Sequence, residues 1–221
     1  MTLPQVLHDE ARVRDLANTV ATLQLMATIA VREGQVERSA GLAIRTREAV
    51  SRYLVQVPFL QAAWVAAAEA ALFALENGAK SAGRPTLLKI ARKGYQVPGR
   101  LGKNYPYLVG PALRIRARYL ALVKGPSAAE PVFRKAIEVL ERTPNRWETA
   151  VALYDAAKAL PARRLEYLRR AVRIFQEIGA EAELRRAERE LATSSLLGPL
   201  QPTATAVHAT TMPAKQPGAR S

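Results

Sequence analysis

The 221-residue chain contains no cysteine, so neither a disulfide nor thiolate ligation of a metal is open to it. Histidine is almost as scarce. His8 and His208 stand near opposite ends with no neighbours at metal-ligand spacing, and each reads as a solvated side chain. Aspartate occurs only as Asp9, Asp15 and Asp155, and the glutamates alternate with arginine and lysine as exposed helix faces require. No carboxylate pair stands out from that background, so acid–base catalysis has no candidate residues. A Gly-x-x-x-x-Gly-Lys-Ser/Thr phosphate loop and a kinase catalytic loop are both missing. Gly94, Gly99 and Gly102 lack dinucleotide-binding spacing and follow no strand, so they read as turns. We therefore expect a non-enzymatic chain with no catalytic residues, no metal ligands and no cofactor.

Long apolar runs are absent too. Nothing approaches the roughly 20 residues that would cross a bilayer. Asp9 and Glu10 fall where a secretory signal would need a basic start and an apolar core. The expectation is a soluble cytoplasmic protein with no membrane association. Aromatic residues make up only 6% of the chain while alanine is plentiful, which favours closely packed helices over a sheet with a bulky core.

What is present is helical periodicity. Ala129, Phe133, Ala136 and Leu140 recur at i, i+4, i+7 and i+11 and so share one helix face. Leu168, Ala171, Ile174 or Phe175, and Ile178 repeat that face further along, at a period close to the roughly 34 residues of tetratricopeptide units. Trp147-x-x-Ala150-Val151-x-x-Tyr154 supplies the large, small and aromatic positions of a first helix, and Ala129-Glu-Pro-Val-Phe133 those of a second. The steric logic is that a small residue lets two helices approach, an aromatic one fills the groove beside it, and stacking buries what one hairpin cannot.

In chain order the pattern predicts a first helix from Asp9 to Arg32, with Leu16, Val20, Leu23, Ala27 and Ala30 or Val31 inward and Gly34 as its turn. A second helix carries Val36, Ala40, Ala43, Ile44, Val50 and Leu54 and stops before Pro58. Trp64-x-x-Ala67-Ala68-x-x-Ala71 follows, and its alanines imply a very close neighbour. Gly83-Arg84-Pro85 opens the next helix, with Leu87, Leu88 and Ala91 buried. From Gly94 to Pro106 we expect a kinked helix or a loop. A hairpin begins near Tyr107, with Leu113, Ala117, Leu120 and Ala121 inward, and turns at Gly125-Pro126-Ser127, where Ser127 is placed to cap. Helices over 127–142, 146–159 and 162–178 lead to a closing helix over 181–194. Its Glu181, Glu183, Arg185, Arg186, Glu188, Arg189 and Glu190 would form a polar outer face. The fold class is all-α: a tetratricopeptide-like α-solenoid of about four hairpins with a closing helix, over residues 1–195. Residues 196–221, rich in proline, threonine and alanine and free of acid, read as a disordered tail.

The charge is uneven. No Asp or Glu lies between Asn77 and Ala129, a window that holds eleven of the cations behind a net charge of +14. Lys89, Arg92, Lys93, Arg100, Lys103, Arg114 and Arg118 are its candidate partner-binding surface. The first occupant we expect is a protein or peptide segment, of acidic character, steered by charge. The alternative is nucleic acid, whose phosphates such a window would neutralise. The uncapped first hairpin, near Leu3 to Val20, could also pair with a copy of itself.

Arg100-Leu-Gly-Lys-Asn-Tyr-Pro-Tyr-Leu-Val-Gly-Pro-Ala-Leu-Arg114, with the Ala136 unit and Phe175-Gln-Glu-Ile-Gly-Ala180, resembles a known arrangement. It is similar to the C-terminal tetratricopeptide-like region of large bacterial signalling ATPases of the STAND type, over roughly residues 10–195. There the region follows a nucleotide-binding domain, often with a kinase or adenylate cyclase domain in front. The resemblance implies a regulatory or sensor role exercised by binding protein, with any ATPase, kinase or cyclase activity belonging to domains this sequence does not contain.

Overall fold

The computed structural model describes residues 3–51 and 58–196. Among them the chain is all-helical: α1 (Leu3–Arg32), α2 (Val36–Ser51), α3 (Pro58–Glu76), α4 (Arg84–Leu101), α5 (Val109–Lys124), α6 (Pro126–Glu141), α7 (Arg146–Ala159), α8 (Arg164–Glu177) and α9 (Glu181–Leu196). Each helix packs on the next, and α3 also packs on α1 and α5, and α5 on α7. The expected end of α2 before Pro58, the Leu16 side chain and the tail beyond Leu197 lie outside the described residues.

The turns follow from the residues at them. Gly34 takes φ +72°, and the Gln35 N–H then donates to the Ala30 carbonyl at 2.9 Å, satisfying one of the acceptors that a helix end leaves over. Between α5 and α6 a single residue, Gly125 at φ +88°, reverses the chain, with Pro126 at the first helical position. Ser127 therefore lies inside α6 and caps nothing, against the sequence expectation. α7 begins on Asn145, whose side chain accepts the Glu148 N–H at 3.2 Å.

Among the described residues, beside a small cluster of Val20, Val50 and Ala63, two large core clusters run along the stack. One joins Leu23, Ala27, Ala30, Ala40 and Ala43 to the alanines of α3 and to Leu87, Ile90, Ala91 and Ile115. The other joins Phe133, Ile137, Leu140, Leu153, Tyr167, Leu168, Ala171 and Phe175. The stripe Ala129, Phe133, Ala136 and Leu140 is buried throughout, as its spacing required.

Between Gly94 and Pro106, where a kinked helix or a loop is expected, the chain is helical as far as Leu101 and then turns over residues 102–105. α4 continues to Leu101 with Pro98 inside it, and a short 3-10 turn, Pro106–Leu108, leads into α5. Leu87, Ile90, Ala91, Gly94 and Pro98 form one buried stripe, so packing against α3 holds the helix through two residues that disfavour it locally. The alanine run of α3 does meet a very close neighbour. A Cβ built on Gly94 would collide with Ala68 and stand 2.7 Å from the Trp64 carbonyl oxygen. Gly94→Ala should therefore force α3 and α4 apart and lower stability by about 1–3 kcal/mol, read as a shift in the urea midpoint. An unchanged midpoint would mean that the two helices are not held at this distance.

Candidate functional site

The basic candidates divide into two groups. Lys89, Arg92, Lys93, Arg100 and Lys103 are exposed on α4 and the turn after it, and none makes an ion pair among the described residues. Arg114 and Arg118 do not belong with them. Arg114 is the largest fully buried side chain, 1% exposed, and Arg118 is largely covered as well. Both project from α5 toward the side shared by the odd-numbered helices, where carboxylates from α3 and α7 meet them. The acid-free window hides this, because the partners lie 34 to 45 residues away in the chain.

Arg114 is gripped on three sides. Its guanidinium pairs with Glu69 of α3, with Asp155 of α7 at 2.9 Å, and through Nε with Glu148 of α7 at 3.3 Å. Arg118, one turn on, reaches both oxygens of Glu76 at 2.8 and 3.3 Å and lies 3.7 Å from Asp155. The sequence reading took these carboxylates for solvated faces. One signal was available: Glu69 is the lone charge in the otherwise apolar run Ala62–Leu75, and Asp155 is followed by two alanines.

This network floors a cavity of about 150 Å³. Thr28, Val31 and Arg32 of α1, Phe73 of α3, Trp147 and Tyr154 of α7, Phe175 of α8, and Glu183 and Arg186 of α9 complete its wall. Trp147 stands edge-on to Phe175, their ring centres 6.0 Å apart. At the mouth the Arg32 guanidinium lies 5.1 Å above the Trp147 ring and 3.3 Å from Glu183, so the first helix touches the last across the opening. The closing helix is thus not polar on its outer face alone. Glu183 and Arg186 turn inward, and Glu190 accepts hydrogen bonds from the Tyr154 hydroxyl at 2.6 Å and from Arg164 at 2.7 Å.

The electrostatics follow from burial and the pairing. Burial presses on Arg114 to lose its proton, but Glu69, Glu148 and Asp155 together outweigh that and hold its pKa well above the ordinary arginine range. Burial would likewise raise Asp155, yet Arg118 and Arg114 prevail and its pKa is lowered. Glu148 goes the other way: burial is the main cause, Arg114 opposes it, and the charges of Glu69 and Asp155 add to the rise. Its Oε2 and the Arg114 Nε stand 3.3 Å apart, but they are not aligned as a hydrogen bond, and neither buried atom has another hydrogen-bond partner among the described residues. The Tyr154 hydroxyl is also raised, first by burial and then by its bond to Glu190.

Chemically, the cavity offers aromatic walls, an acceptor oxygen without an aligned hydrogen bond, and cations at the rim. Asp155 and Glu69 are engaged by arginine, and the Tyr154 hydroxyl is held by Glu190. Comparison of the chain with protein-family models, with curated proteins and with solved structures returns no match. No helix among the described residues is long and apolar enough to cross a membrane.

Proposed function

We propose that the chain is a non-catalytic interaction scaffold: a tetratricopeptide-like α-solenoid of four hairpins, α1–α2, α3–α4, α5–α6 and α7–α8, closed by α9. Its inner side takes up a peptide or protein segment, in the cytoplasm and in a regulatory or sensor capacity. One observation carries the reading. A single cavity is walled by the first helix of all four hairpins, so its shape depends on the whole stack.

The lining suits a peptide side chain. Trp147, only partly buried and backed by Phe175, offers apolar area with little rotamer entropy to lose, and Trp is among the residue types that most often dominate binding energy. The Glu148 Oε2, which meets the Arg114 Nε only at 3.3 Å and without hydrogen-bond alignment, would accept a donor from the guest. Entry requires parting Arg32 from Glu183, a pair open to solvent on its arginine side and worth about 1 kcal/mol. The likeness to the repeat region of bacterial STAND-type regulators fits this role, since there too the repeats would bind rather than react.

Selection of peptides from a random display library on the immobilised chain tests the proposal. Selected peptides should bind the chain and lose about 30-fold or more in affinity to Trp147→Ala, with a smaller loss to Glu148→Gln. Selection that yields no binders, or binders indifferent to both substitutions, would overturn it.

A further inference from the structure

The cations that remain after Arg114 and Arg118 are withdrawn form an ordered surface. Lys89, Arg92, Lys93 and Arg100 fall within an arc of about 100° on α4 and cover about 17 Å along it. Lys103 continues the row in the turn that follows. All five are exposed and, among the described residues, unpaired. Exposed arginines elsewhere divide: Arg146, Arg163, Arg170 and Arg185 engage a carboxylate, while Arg45, Arg134, Arg169, Arg173 and Arg189 make no ion pair among the described residues. What sets the row apart is its single face on a helix that carries no Asp or Glu. Beside the row, Tyr95, Gln96, Gly99 and Arg100 of α4 face Val109, Ala112, Leu113 and Arg116 of α5 across an open groove. Arg116 is exposed and unpaired as well.

Aromatic surface lies at the same end. Tyr107, in the short turn before α5, is 53% exposed, and its ring centre is 6.2 Å from that of Tyr105. A tyrosine left this open, next to a row of free cations, is the combination that single strands recognise: cations track the phosphates while a ring stacks on an unpaired base.

We propose that the outer face of α4, continued through the α4–α5 turn to Tyr107, binds single-stranded nucleic acid. The cations run along one helix face, so one phosphate backbone can follow them. A duplex would keep its base faces stacked within itself and leave Tyr107 unused. An acidic peptide would meet the charge but has no base to lay on the ring. The site is separate from the inner cavity, whose lining includes none of these residues, and it holds or falls independently of the peptide-binding role.

Fluorescence anisotropy with a labelled mixed-sequence single strand of about 15 nucleotides, as DNA and as RNA, tests this across a salt series. If five phosphates are neutralised, the logarithm of affinity should fall against the logarithm of salt with a slope of about −3.5. Arg92→Gln/Arg100→Gln/Lys103→Gln should flatten that slope to about −1.4 while circular dichroism stays unchanged. Tyr107→Ala should weaken binding about 5- to 150-fold and leave the slope alone, because a ring carries no charge. A same-length duplex and a polyglutamate peptide serve as competitors and should displace the strand poorly. Absence of binding at about 50 mM salt would overturn the proposal. So would a slope indifferent to the triple variant, or a duplex that competes equally. Polyglutamate competing equally while Tyr107→Ala has no effect would assign the face to an acidic protein instead.

Discussion

Replacing Arg114 with methionine should destabilise the fold by about 3–5 kcal/mol, measured by urea denaturation at neutral pH. The side chain is almost wholly buried, and it is the shared partner of Glu69, Glu148 and Asp155. Methionine approximates its length but leaves three carboxylates facing one another with only Arg118 to offset Asp155. The deficit should depend on pH, with a definite sign. In the variant, burial and mutual repulsion raise carboxylate pKa values in the folded state above their unfolded values. A group raised in that way favours the folded state as it takes up its proton, so the variant gains stability as pH falls. The gap to the parent chain should therefore be widest near pH 7–8 and narrow toward pH 5. The parent moves differently: Asp155, with its lowered pKa, loses stabilisation on acidification, whereas Glu148, with its raised pKa, gains it. A deficit that is constant across this range would mean that Arg114 contributes packing and not charge.

Phe133→Ala should cost about 3–5 kcal/mol as well, through a different cause. Its ring is fully buried in the second core cluster among Leu140, Leu153, Leu168 and Phe175, so truncation removes apolar contact and leaves a void. This loss should be independent of pH between 5 and 8. Trp147 separates from it, although the repeat pattern makes the two look equivalent. Trp147 is only partly buried, at the cavity mouth beneath Arg32. Its truncation forfeits part of the transfer energy and should cost less than half as much, about 2 kcal/mol or below. A thermal shift near zero for Phe133→Ala would contradict the repeat register itself.

Much of the architecture was legible along the chain because its causes are local. An apolar residue every three or four positions sets a buried face, as at Ala129 to Leu140, and Gly34 and Gly125 end or reverse a helix by a backbone angle that other residues resist. Where local and tertiary preferences oppose each other, the local reading fails. Gly94 and Pro98 weaken a helix in isolation, yet α4 runs through both because its apolar stripe lies against the alanines of α3. Ser127 looks like a cap until Pro126 takes the first helical position and moves the boundary ahead of it. The closing helix alternates Glu and Arg in a way that no periodicity rule divides into inner and outer faces, and contact with Arg32 and Tyr154 divides it.

By itself the sequence determined the helices, their order and most of the buried stripe, because each depends on residues within a turn or two of one another. It also determined that positive charge would collect between Asn77 and Ala129. Only the tertiary structure decided which of those charges are free. Arg114 and Arg116 are two residues apart on α5 and so point about 200° apart around the helix. One faces α3 and α7, where carboxylates 34 to 45 residues distant in the chain enclose it. The other faces solvent beside the row on α4. A charge is neutralised by what lies within a few ångströms of it, and that distance exists only once the helices have stacked.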